Sequence, residues 1–87
     1  MTRVYLPTPL RSYTGEEATV TADGDTVAEV LADLDRRYPG IRFRIIDEQD
    51  RIRRHIKIFV NGHDVTDLAP GLSDGDELTI ICAISGG

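Results

Sequence analysis

The chain has 87 residues, of which 40% are hydrophobic and 29% charged, a globular rather than a disordered composition. A chain of this length folds to about 5,000 Å² of accessible surface around a single core, too little material to wall off an enzyme-sized cavity of about 300–1,000 Å³, so function is expected on a face, an edge or a chain end. Ten Lys and Arg stand against 15 Asp and Glu, a net charge of −5, which argues against a nucleic-acid partner bound through whole-molecule charge.

From the N-terminus, Met1 to Pro7 contains no apolar run of signal length, and nothing later approaches a membrane span. A cytoplasmic protein without a membrane partner is expected. Arg3-Val4-Tyr5-Leu6 alternates at period two with Val4 and Leu6 on one face, and Pro7 and Pro9 end that strand. Tyr13-Thr14-Gly15 reads as a turn. Ala18, Val20 and Ala22 alternate with Thr19 and Thr21 in a second strand, which would complete a hairpin.

A helix follows the Asp23-Gly24-Asp25 turn. Thr26 and Glu29 have the spacing of a capping box, each able to satisfy an orphan amide of the first turn. Val27, Val30, Leu31, Leu34 and Tyr38 then form one apolar stripe, and Pro39-Gly40 stops it. Ile41, Phe43, Ile45 and Ile46 suit a short irregular segment tucked under the sheet, followed by an exposed loop at Asp47-Glu48-Gln49-Asp50.

From Arg51 the period is again two. Ile52, Ile56, Ile58 and Val60 take the inner face, while Arg51, Arg53, His55, Lys57 and Phe59 point outward; only Arg54 breaks the inner row, as it would if the strand began after it. Asn61-Gly62 supplies a tight hairpin turn into a short strand around Asp64-Val65-Thr66. After a loop through Pro70-Gly71 and a second Asp-Gly-Asp turn at 74–76, the last strand places Leu78 and Ile80 inward and Thr79 and Ile81 outward. A right-handed crossover through the helix is expected to carry strand two to a later partner, in a mixed sheet with one helix across one face.

The chemistry-bearing residues are few. A single cysteine, Cys82, excludes an internal disulfide, a four-cysteine cluster and a cysteine-based zinc site. Its place in an apolar strand without a basic neighbour in sequence suits a packing residue rather than a nucleophile. His55 and His63 read as solvated side chains and the Asp-Gly-Asp turns as turn chemistry, so no metal site is expected. Residues 36–54 form a basic island between acidic ends, either a docking patch for an acidic partner or a solvated face. Outward Phe59 beside outward Ile81 makes a small exposed apolar patch of the kind that marks an interaction surface. The chain closes on Ile84-Ser85-Gly86-Gly87, a narrow rod that can thread a slot too tight for a Cβ and carries the α-carboxylate at its tip.

Asp25-Thr26-Val27 with Leu31 and Leu34, Ile58-Phe59-Val60-Asn61-Gly62, Leu72-Ser73-Asp74-Gly75-Asp76-Glu77-Leu78 and the closing Ile84-Ser85-Gly86-Gly87 together resemble the ubiquitin-like sulfur carrier proteins of the MoaD/ThiS family. Leu6 to Arg11 and Tyr13-Thr14-Gly15 look most like the CysO-type branch, whose members carry sulfide for cysteine synthesis. Many relatives have proline where this chain has Cys82. The resemblance implies an α+β, β-grasp domain over residues 1–83 and a flexible tail over 84–87.

The resemblance also implies a carrier rather than an enzyme. A ubiquitin-activating-type enzyme would use ATP to adenylate Gly87. A sulfur donor would convert the adenylate to a thiocarboxylate, and a synthase would accept the sulfur for cysteine, molybdopterin or another thio-metabolite. No cofactor would be held permanently. Ile84, Ser85 and Gly86 would thread into the partner, and Phe59 and Ile81 would dock it. The rival readings are a ubiquitin-like modifier joined to lysines through Gly87 and an interaction module with an inert tail.

Overall fold

The computed structural model describes residues 1–83; Ile84, Ser85, Gly86 and Gly87 lie outside the described residues. Strands β1 (Thr2–Tyr5), β2 (Thr19–Ala22), β3 (Ile56–Val60), β4 (His63–Val65) and β5 (Glu77–Cys82) make one sheet in the order β2-β1-β5-β3-β4. Helix α1 (Val27–Arg37) packs on one face, accompanied by a one-turn helix α2 (Ile41–Ile45). This is the expected β-grasp arrangement, mixed because β1 and β5 run parallel while the remaining pairs are antiparallel. The accessible surface is 5211 Å².

Alternation decides which side chains enter the core. Val4, Ile58, Leu78 and Ile80 from the three central strands meet Val27, Val30, Leu31 and Leu34 from α1, and nearly all of them are sealed from solvent. Complete burial of each such side chain is worth about 1.5–3 kcal/mol. Val20 and Ala22 extend this layer under β2, and Thr19 and Thr21 face outward.

The start of α1 departs from the expected box by one residue. Thr26 Oγ1 accepts from the Glu29 amide at 3.1 Å, but the Glu29 carboxylate reaches back to the Asp25 amide at 2.8 Å. The orphan amides of Val27 and Ala28 instead donate to the carbonyls of Pro70 and Leu68. A distant loop therefore supplies part of the cap.

Four other expectations are corrected. Strand two does not cross to a later partner: β2 sits at the sheet edge, and β1 takes the parallel partner, with Val4 beside Leu78. The polar outer positions of β2 suit an edge, whereas Val4 and Leu78 are fully buried at the centre. Residues 8–14 form a 3-10 helix (Thr8–Thr14), not only a terminal turn, and it buries Leu10 and Thr14.

The basic period-two strand does not begin at Arg51. Ile52 makes only an isolated bridge to Ile46, Arg53 donates its amide to the Ile45 carbonyl, and β3 starts at Ile56. Finally, Ile41, Ile45 and Ile46 are buried as expected, but Phe43 is not. In one turn of helix it falls on the side opposite Ile41 and Ile45 and is 57% exposed.

Candidate functional site

Strand register assembles the outer face from residues far apart in sequence. Thr19, Tyr5, Thr79, Phe59 and Asp64 stand opposite one another in a single row across all five strands. The adjoining row pairs Lys57 with Ile81. Phe59 and Ile81 are therefore diagonal neighbours, within contact range for side chains on one sheet face. Ile81 is 44% exposed, whereas Phe59 is half-buried.

A polar cluster borders this patch on the β1 side. Glu77 Oε2 accepts from Tyr5 Oη at 3.1 Å and from Arg3 Nη1 at 3.2 Å. Tyr5 completes the face, and its alternation with Val4 and Leu6 is the sequence signal that places it there. A tied phenol beside an apolar centre gives a surface that a partner can cover, with exposed Lys57 at its margin.

Of the two Asp-Gly-Asp sites only 74–76 is the expected turn, with Gly75 at φ 91°; at 23–25 Gly24 has no positive φ, and the Asp23 and Asp25 amides donate to the carboxylates of Asp33 and Glu29 on α1. Asp76 accepts from the Ser73 amide at 2.8 Å and from Asn61 Nδ2 at 3.1 Å, which together hold its carboxyl below the usual carboxylate range. Asn61 adopts φ 50° and Gly62 φ 85°, the paired positive angles of the predicted hairpin turn. Asn61 also binds the Glu77 backbone through both its side-chain oxygen and its amide, so one residue joins the β3–β4 turn to the start of β5. His55 and His63 are exposed. Among the described residues no group of three or more His, Cys, Asp or Glu side chains is placed to hold a metal ion, and no helix is long and apolar enough to cross a membrane.

At the other end of β5 the chain leaves the sheet. Cys82 pairs with Ile56, and the Ala83 amide donates to the His55 carbonyl at 2.6 Å. Cys82 is half-buried and packs against the core, as expected of a packing residue. Arg44 and His55 line the same hollow, a proximity invisible from sequence neighbours. Gly87, Gly86, Ser85 and Ile84, the residues expected to carry the chemistry and to thread a partner, lie outside the described residues.

Apart from exposed Arg54, the arginines of the basic island divide in two. Arg36 and Arg37 pair with Asp33, Arg42 with Asp50, and Arg51 with Asp47. Arg53 and Arg44 instead donate to neutral oxygens, the Phe43 carbonyl and the Tyr13 hydroxyl, each at 2.7 Å.

Residues 4–87 match the ThiS family. The chain is 40% identical over 97% of its length to the sulfur carrier protein CysO of Mycobacterium tuberculosis, and the match covers 96% of that protein. Its fold superimposes with a TM-score of 0.92 on a chain of the Amycolatopsis orientalis BexX/CysO complex, at 40% identity and with 100% of both chains covered. Small archaeal modifier protein 3 of Haloferax volcanii is 32% identical over 75% of this chain and 73% of its own length.

Proposed function

The chain belongs to the ThiS family, and on that premise we propose that it is a sulfur carrier protein, a co-substrate of partner enzymes rather than an enzyme. The observation that carries this reading is the near full-length likeness to sulfur carrier protein CysO, together with the Gly86-Gly87 end of the sequence.

The chemistry follows from the weakness of a carboxylate as an acyl donor. A Gly87 carboxylate oxygen attacks the α-phosphorus of ATP in a ubiquitin-activating-type enzyme, and pyrophosphate leaves. Sulfide from a sulfur donor then attacks the acyl carbon, AMP leaves with the bonding electrons, and a thiocarboxylate remains. A synthase takes the sulfur as a nucleophile. Carrying it covalently raises its effective concentration at the acceptor. Cysteine is the product that the likeness to CysO favours over molybdopterin or another thio-metabolite.

In this reading Phe59 and Ile81 dock the partner while Ile84, Ser85 and Gly86 pass into its channel, where absent side chains at the glycines permit the closest approach. Incubation with the cognate activating enzyme, ATP and a sulfide source should add one oxygen-to-sulfur mass increment at Gly87. Intact-mass spectrometry that shows no increment would overturn the proposal.

The likeness to the Haloferax modifier protein supports a second reading, conjugation of Gly87 to lysines of other proteins. The two share every step up to the adenylate. Recovery of the protein from lysates mainly as higher-mass conjugates, with a Gly-Gly remnant on lysine, would favour the modifier.

A further inference from the structure

Four residues follow Ala83, and fully extended they reach roughly 14 Å. An enzyme that encloses Gly87 must therefore bring its own surface against the side chains around Ala83. Ile81 and Lys57 supply one side of that collar. The opposite side comes from α2 and the segment before β3.

There His55, whose carbonyl holds the Ala83 amide, lines two hollows together with Arg44. One, of about 350 Å³, extends to Cys82; the other, of about 170 Å³, is bounded by Phe43 and Arg53. Phe43 is the most exposed large hydrophobic side chain among the described residues. The Arg53 guanidinium lies over its ring, 4.5 Å from the centroid.

Neutral partners orient both Arg53 and Arg44. Among the described residues no carboxylate lies within ion-pair distance of either, although Asp33, Asp47 and Asp50 engage the neighbouring arginines. Among the described residues both guanidiniums are held in place without a direct ion pair, Asp47 acting on Arg53 only at longer range, on a chain of net charge −5. An exposed aromatic ring under an ordered guanidinium has the composition of an interface anchor.

We propose that Phe43, Arg44, Arg53 and His55 form a second docking site, which takes an acidic surface bordering the tail entrance of the adenylating enzyme. This rests on the reading of Gly87 as the adenylated residue. The adenylating enzyme is the occupant because it receives the tail as a free carboxylate, from an acidic carrier, into a site that also holds the ATP phosphates. A basic collar at the tail root offsets that repulsion during approach and fixes the orientation of the encounter.

The test is ATP–pyrophosphate exchange by the cognate adenylating enzyme with the full-length carrier. Arg44→Glu, Arg53→Glu and Phe43→Ser are compared with wild type and with Arg36→Glu on α1, and each variant's fold is checked by circular dichroism and thermal melting. The three site variants should raise KM about tenfold with kcat unchanged, and Arg36→Glu should leave KM unchanged. The wild-type KM should rise with salt, more steeply than that of either charge reversal.

Because Arg53→Glu also removes the bond to the Phe43 carbonyl, Phe43→Ser and Arg44→Glu decide the outcome if Arg53→Glu melts early. Wild-type KM in those two variants, or an equal rise with Arg36→Glu, would overturn the second site and leave the carrier reading standing. No exchange with wild type would overturn the carrier reading and this site with it.

Discussion

Phe59 and Ile81 lie diagonally adjacent on the outer face of the sheet, with Ile81 opposite Lys57 and Phe59 opposite Thr79. Neither belongs to the core cluster beneath α1. They come from different halves of an antiparallel pair, and the register that seats Ile58 against Ile80 inside fixes their adjacency outside.

On the proposed docking role, Phe59→Asp should weaken binding of the adenylating enzyme about 10- to 100-fold, the range expected when an aromatic anchor is lost, and leave the melting curve within a few degrees of wild type. Ile81→Asp should act in the same direction. Unchanged affinity in a calorimetric titration would remove the substituted residue from the docking surface.

Gly24→Ala should destabilise the fold by about 1–3 kcal/mol through overpacking. A Cβ at this position would stand 2.6 Å from the Val30 amide nitrogen and 2.7 Å from Glu29 Cβ, and a helix backbone cannot move aside cheaply. Gly62→Ala is the informative contrast. Its φ of +85° with open space around it carries only the left-handed penalty of about 1–2 kcal/mol. Urea denaturation that found Gly24→Ala as stable as wild type would contradict the close approach of the Gly24 backbone to α1.

Asp33 makes stability depend on acid pH. Its carboxylate accepts from the Asp23 amide and from the side chains of Arg37 and Arg36. These bonds hold it well below the usual carboxylate range. A depressed folded-state pKa means that its contribution is complete above the unfolded value of about 4 and disappears as pH falls through the folded value. Asp33→Asn should be less stable than wild type at pH 7, and the gap should narrow steadily below about pH 4. Melting temperatures across that range check it, and a gap independent of pH would exclude this role.

Much of the fold was legible because it depends on near neighbours. Alternation in Arg3 to Leu6 and in Glu77 to Cys82 assigned inner and outer faces correctly, and the stripe from Val27 to Leu34 marked the buried side of α1. The Asn61-Gly62 turn followed from its positive backbone angles alone. Phe59 and Ile81 could be named as outward-facing for the same reason. The same alternation misled at Arg51 to His55, where side chains repeat at period two without a continuous strand partner.

What tertiary structure alone decided were the relationships across the chain. The parallel pairing of β1 with β5 set β2 at the edge, since Val4 and Leu78 gain most by meeting at the centre of the sheet. The cap of α1 drew on Leu68 and Pro70. The exposure of Phe43 and its cover by Arg53 arose because one turn of helix must bury Ile41 and Ile45 and so turns its third position to solvent. Sequence determined the faces through the fixed periods of helix and strand. Which faces meet was decided by burial between residues too distant for any local period to connect.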